Sequence, residues 1–149
     1  MDTIPSSNAP HQSVKLYTTG WIGFATYVGG PLAATYLISK NFDYLGKKEY
    51  ARTSLIIGLI FTLLLFGALP FIPENVMDRM PNYLIPIAYT AIAYYLVGKY
   101  QEKEIQDHLK ANGARQSGWK VTGIAILSLI ISMAYLFALI ILIPESMLG

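Results

Sequence analysis

An all-α polytopic membrane protein, built as a bundle of four transmembrane helices, is the fold class this sequence predicts, and three observations predict it. Only 13% of the 149 residues are charged while 54% are hydrophobic, against roughly 25% charged in an ordinary soluble domain. Four stretches are apolar for long enough to cross a hydrocarbon core about 30 Å thick, which takes about 20 helical residues. None of the four contains Asp, Glu, Lys, Arg or His. Nine of the eleven basic residues fall in just two of the loops between them, the asymmetry that marks cytoplasmic loops.

Taken in chain order, residues 1–14 read as a disordered tail, because Pro5, Ser6, Ser7, Asn8 and Pro10 offer nothing to bury. Residues 15–149 form a single four-helix transmembrane domain. The first span covers about residues 17–38. It is too long for the apolar region of a signal peptide, and Ser39-Lys40-Asn41 is no cleavage site. The second covers about residues 54–71 and stops at Pro70 and Pro73. The third, about residues 83–97, is the shortest, with Lys99 and Tyr100 extending its reach at the interface. The fourth covers about residues 121–143, with Ser117 placed to cap it.

The loops set the threading. Residues 39–53 hold Lys40, Lys47, Lys48 and Arg52, and residues 98–120 hold Lys99, Lys103, Lys110, Arg115 and Lys120. These two loops are expected in the cytoplasm, which places both termini outside the inner membrane. Tyr17, Trp21 and Tyr83 are then expected at the outer interface, and Phe42, Tyr44, Tyr50 and Trp119 at the inner one.

An internal repeat suggests two parallel helical hairpins. Residues 65–74 align with 136–145 at a shift of 71, with Leu, Phe, Ile, Pro and Glu in common, and Ala34, Tyr36, Leu37 and Lys40 align with Ala93, Tyr95, Leu96 and Lys99 at a shift of 59. Chance similarity between apolar helices is the competing explanation.

Composition also excludes function classes. A net charge of +2 is too small to argue for nucleic acid. The absence of cysteine removes disulfides, thiolate metal sites and thiol nucleophiles. No nucleotide loop, nucleophile elbow or zinc signature occurs, so no catalytic residue, no metal and no cofactor is expected. Spans without an ionisable group argue against ion-coupled transport, which needs a group to titrate.

Two features inside the spans stand out. Gly29-Gly30-Pro31 interrupts the first span and is either a hinge or a helix-packing motif; close packing of small residues, with Ala33 and Ala34 beside them, ranks first. Pro86 reads as a second packing kink. Hydroxyls at Thr18, Thr19, Thr26, Thr35, Tyr89, Thr90, Tyr94 and Tyr95 can bridge helices or bond back to their own turn, and Tyr89 and Tyr94 are the candidate cavity-lining residues. On the third loop, residues 101–111 read as a helix continuing the third span, stopped by Asn112-Gly113. Its Glu104, Asp107 and His108 are explained by i, i+4 pairing of Lys103 with Asp107 and Glu104 with His108.

Gly29-Gly30-Pro31-Leu32-Ala33-Ala34, then Asn41 and Gly46, then a His-containing third loop with Gly113 and Ser117-Gly118-Trp119-Lys120, resembles a group of small bacterial inner-membrane proteins of four predicted spans. The resemblance implies an inner-membrane location and no assigned activity or site residue. The expected role is an accessory or oligomer-forming membrane subunit, whose partners are the lipid bilayer and either a second copy or another membrane protein. The alternative is a small uncoupled permease or channel subunit. A membrane-interface hydrolase or metal enzyme using Glu104, Asp107 and His108 comes third.

Overall fold

A computed structural model describes residues 14–144; the expected disordered tail and Glu145 of the repeat lie outside the described residues, apart from Val14. The described residues form six helices and one short strand pair. Strand β1 (Lys15–Leu16) leads into α1 (Thr19–Tyr44), followed by α2 (Lys48–Ala68) with a 3-10 turn over Leu69–Phe71. Then come a single turn α3 (Glu74–Met77), α4 (Leu84–Tyr100), α5 (Glu102–Lys110), β2 (Ala114–Arg115) and α6 (Gly118–Leu142).

Helix α1 does not run straight. Gly30 has φ 77° and ψ −174°, a region of backbone space open essentially to glycine alone, and it divides α1 into a first arm, residues 19–29, and a second arm, residues 31–44. The arms fold back on one another. A straight helix would hold Tyr17 and Asn41 about 36 Å apart at 1.5 Å per residue, yet the Asn41 side chain accepts from the Tyr17 N–H at 2.9 Å and donates to the Tyr17 carbonyl at 2.8 Å. Both ends of the expected first span therefore lie at one end of the bundle.

β1 pairs in parallel with β2, Lys15 opposite Ala114 and Leu16 opposite Arg115, so the start of the described chain sits beside the third loop rather than across the bundle from it. Trp21 likewise lies against Gly118, at the end where Trp119 stands and not at the opposite one. Adding Lys15 to the nine basic residues of the two loops puts ten of eleven at this basic end, with Arg79 alone at the other.

Two of the four expected spans, Lys48–Phe71 and Gly118–Leu142, are long and apolar enough to cross a membrane. At 17 residues, α4 measures about 25 Å. Pro86 does not kink it, because it falls in the first turn, where a missing N–H breaks no helical bond. Neither is Pro31 a breaker. It opens the second arm of α1, where its fixed φ suits a helix start, and Gly30 makes the turn.

Helix α1 is the hub: α2, α4 and α6 each pack against it, while α4 and α6 share no extensive interface. Two hairpins related by an axis would need α4 to meet α6 as α1 meets α2, so the repeat does not extend to the packing. The interior combines apolar side chains such as Ile22, Leu37, Phe42 and Val97 with small and polar ones such as Ala25, Ala33, Thr26 and Asn41. On α6 the buried positions are Val121, Ala125, Ser128 and Ser132, spaced 4, 3 and 4 on one face. They lie toward α1, where a β-carbon on Gly29 would come within 2.5 Å of the Ala125 carbonyl oxygen. Gly29 thus packs against α6, and Gly30 makes the turn between the two arms.

Candidate functional site

At the basic end, side-chain amides fasten the turned-back hairpin. Besides its two bonds to Tyr17, fully buried Asn41 reaches Gln101 Oε1 at 3.4 Å. Gln101, itself buried, donates to the Ile38 carbonyl at 2.8 Å and marks a break between α4 and α5, with φ −130°, so α5 is a separate helix and not a continuation. Asn112, at φ 58°, terminates α5, and the Gly113 N–H closes onto the His108 carbonyl at 2.8 Å.

The expected pairs along α5 do not form. Glu104 instead bonds Lys47 of the first loop, Glu102 receives the Thr19 hydroxyl, and His108 Nε2 donates to the Ala114 carbonyl at 3.0 Å. Glu104, Asp107 and His108 consequently do not converge; two of them tie loops together. Among the described residues no group of three or more His, Cys, Asp or Glu side chains is placed to hold a metal ion. Ser117 occupies the N-cap position of α6 but its side chain makes no capping bond.

Tyr17 precedes the first helix, at the basic end of the bundle, and its buried hydroxyl has no hydrogen-bond partner. Burial, with smaller contributions from Tyr44 and Tyr36, pushes its pKa up to about 12. The folded state therefore holds this proton more tightly than the unfolded chain does. The resulting stability is whole below the ordinary phenol value of 10.0 and is lost as pH rises from there toward about 12. Thermal unfolding in detergent should show the wild type losing stability between about pH 10 and 11 faster than Tyr17→Phe. Parallel curves would exclude Tyr17 as the cause.

A lateral groove of about 510 Å³ lies between α2 and α4, floored by the second arm of α1. It exists because the floor residues Pro31, Ala34 and Thr35 are too short to fill the space between the flanking helices. Gly58 lets α2 press against Thr35, to which a β-carbon would stand 2.2 Å away. Ala93 and Val97 bring α4 against the hub from the other side. Tyr50, Thr53, Ser54 and Tyr100 line the groove toward the basic end, and Ile57, Phe61, Ile92 and Leu96 line it further in.

Tyr89 lines the groove, and its hydroxyl lies 3.5 Å from the Tyr27 carbonyl, one of the carbonyls left without a helical partner at the end of the first arm. Tyr94 is not part of the groove. Its ring lies over Gly23, where a β-carbon would come within 2.1 Å of it. Thr26, Thr35 and Thr62 do not bridge helices; each hydroxyl donates to the carbonyl four residues back. Tyr50, Thr53, Ser54 and Tyr100 were not legible as one cluster, because two helices far apart in sequence bring them together. Asn41 and Gln101 carried a weak signal as amides beside apolar runs. No protein-family model, curated protein or solved structure matches the chain.

Proposed function

We propose that the protein is an integral membrane accessory subunit in which α2, α4 and α6 cross the cytoplasmic membrane and α1 enters and leaves from the cytoplasmic side. Its working surface is the groove between α2 and α4, which receives an apolar guest. The observation that carries this reading is the distribution of side chains. Helix contacts are made through small residues such as Gly29, Gly58, Ala93 and Ala125 beside larger ones such as Leu37 and Phe66, while Ile57, Leu64 and Ile141 stand 61, 68 and 78% exposed. Outward apolar faces of this extent are stable only against lipid or another apolar surface.

Orientation follows from charge. The end carrying ten of eleven basic residues is assigned to the cytoplasm, which puts residue 14 inside and residue 144 outside. Tyr83 at one end of α4, with Lys99 and Tyr100 at the other, anchors this shorter helix at both interfaces. An accessory role suits an interior in which the hydroxyls of Thr26, Thr35 and Thr62 are satisfied by their own helices. The break at Gly30 favours, as a second reading, a small uncoupled permease, since irregular backbone at membrane depth is tolerated where it lines a cavity.

The chain has no native cysteine, which makes labelling direct. With single cysteines placed at Val14, Asp78 and Ser117, a membrane-impermeant maleimide applied to spheroplasts should label only Asp78→Cys, and inside-out vesicles only the other two. Labelling of Val14→Cys together with Asp78→Cys from one side would overturn the re-entrant threading. Solute flux through reconstituted vesicles would favour the permease.

A further inference from the structure

We propose that the groove between α2 and α4 holds one acyl chain of an anionic phospholipid from the cytoplasmic leaflet, its headgroup seated at Lys99 and Lys47. This rests on the reading of the groove as a guest site facing the bilayer and names the guest.

Dimensions select an acyl chain over a helix. The groove follows α2 from Tyr50 to Phe61 and α4 from Tyr100 back to Tyr89, about 16 Å of helix at 1.5 Å per residue. That is about half of a 30 Å hydrocarbon core, the depth of one leaflet. Its volume of about 510 Å³ is spread along that length, as a slender slot that suits a flexible chain. The inner end stops at Pro31 and Tyr89, where the hairpin turns.

Chemistry changes along the groove as it does along a lipid. The deep part is lined by Ile57, Phe61, Ile92 and Leu96, and the mouth by the hydroxyls of Tyr50, Thr53, Ser54 and Tyr100, level with the glycerol and ester region. Beyond them stand cations. Lys99 Nζ lies 5.4 Å from the Tyr100 ring centroid and Lys47 Nζ 6.0 Å from that of Tyr50. Lys47 bonds Glu104, whereas Lys99 forms no ion pair among the described residues. Lys48 and Arg52 add positive charge on α2 and Glu49 offsets one of them, which leaves the mouth net positive.

The experiment uses the full chain in detergent and in nanodiscs. Native mass spectrometry is run with phosphatidylglycerol and with phosphatidylcholine of the same acyl chains, and a photo-crosslinking residue is placed at Ile57. The wild type should bind phosphatidylglycerol about fivefold more tightly, the effect of about one basic residue near a lipid surface. Lys99→Gln should abolish that preference without weakening phosphatidylcholine binding. Ile57→Trp, which fills the groove from an outward-facing position, should weaken both. Equal binding of the two lipids, unchanged by Lys99→Gln, would overturn the headgroup assignment while leaving the accessory reading intact. Crosslinking from Ile57 to a protein in place of lipid would overturn the acyl-chain assignment and keep the groove as a guest site. Crosslinking to neither would end both.

Discussion

Gly29→Val should cost about 3 kcal/mol of stability and sharply lower the yield of folded protein, the upper part of the range for overpacking a tight contact. A β-carbon at residue 29 would meet the Ala125 carbonyl oxygen at 2.5 Å and its α-carbon at 2.8 Å. Both are backbone atoms of α6, so relief requires moving a whole helix. Gly30→Ala tests the neighbouring position by another mechanism. A methyl group there meets nothing closer than the Phe66 ring at 3.4 Å, so its expected cost of about 1–3 kcal/mol comes from forcing an alanine to φ 77°. Pro31→Ala should cost about 0.5 kcal/mol, since proline there only pre-organises a helix start. SDS-unfolding titrations of the purified variants would rank the three. If Pro31→Ala were the most damaging and Gly30→Ala harmless, proline rather than glycine would be the cause of the turn.

Asn41→Leu, nearly isosteric, should destabilise by about 4 kcal/mol, because it strands the N–H and the carbonyl of buried Tyr17 at about 1–3 kcal/mol each. It also removes a contact to Gln101. Nothing else holds the start of α1 against the end of its second arm so directly, so hydrogen exchange at Leu16 and Tyr17 should accelerate before the rest of the bundle opens. Lys40→Ala, one residue away, is the control. Its pairing with Asp43 is 3.8 Å long between side chains that are 39 and 44% exposed, and such surface pairs contribute little. Equal effects of the two substitutions would show that the amide is not the fastening.

Substituting Asn41 therefore probes a contact that closes the folded α1. Its sequence context gave only a weak sign of this. An asparagine three residues beyond an apolar run reads as a return to water, and Gly-Gly-Pro reads first as a packing motif and second as a hinge. Glycine at residue 30 permits φ 77° but does not require it. The conformation is chosen because it lets both arms bury small residues against three neighbours and lets Asn41 satisfy Tyr17.

Tyr89 and Tyr94 make the same point for the groove. Five residues apart on α4, they carry the same phenol and the same apolar surroundings in sequence. One faces the gap beside the second arm and the other covers Gly23 on the first. Helical periodicity separates their faces, but only the placement of the two arms decides which face is open.

Periodicity, hydropathy and charge, all local or additive along the chain, determined by themselves that this protein is helical and that its basic residues gather in two loops; of the four apolar stretches that they pick out, two lie in helices long and apolar enough to cross a membrane. Tertiary structure alone decided that α1 turns back at Gly30, that Lys15 joins the basic end, and that α2 and α4 stand apart to leave a groove. The physical reason is that each of these depends on a contact between residues distant in sequence: Tyr17 with Asn41, Lys15 with Ala114, Thr35 with Gly58. A straight and a folded α1 bury the same composition, and they differ in which partners satisfy the buried backbone.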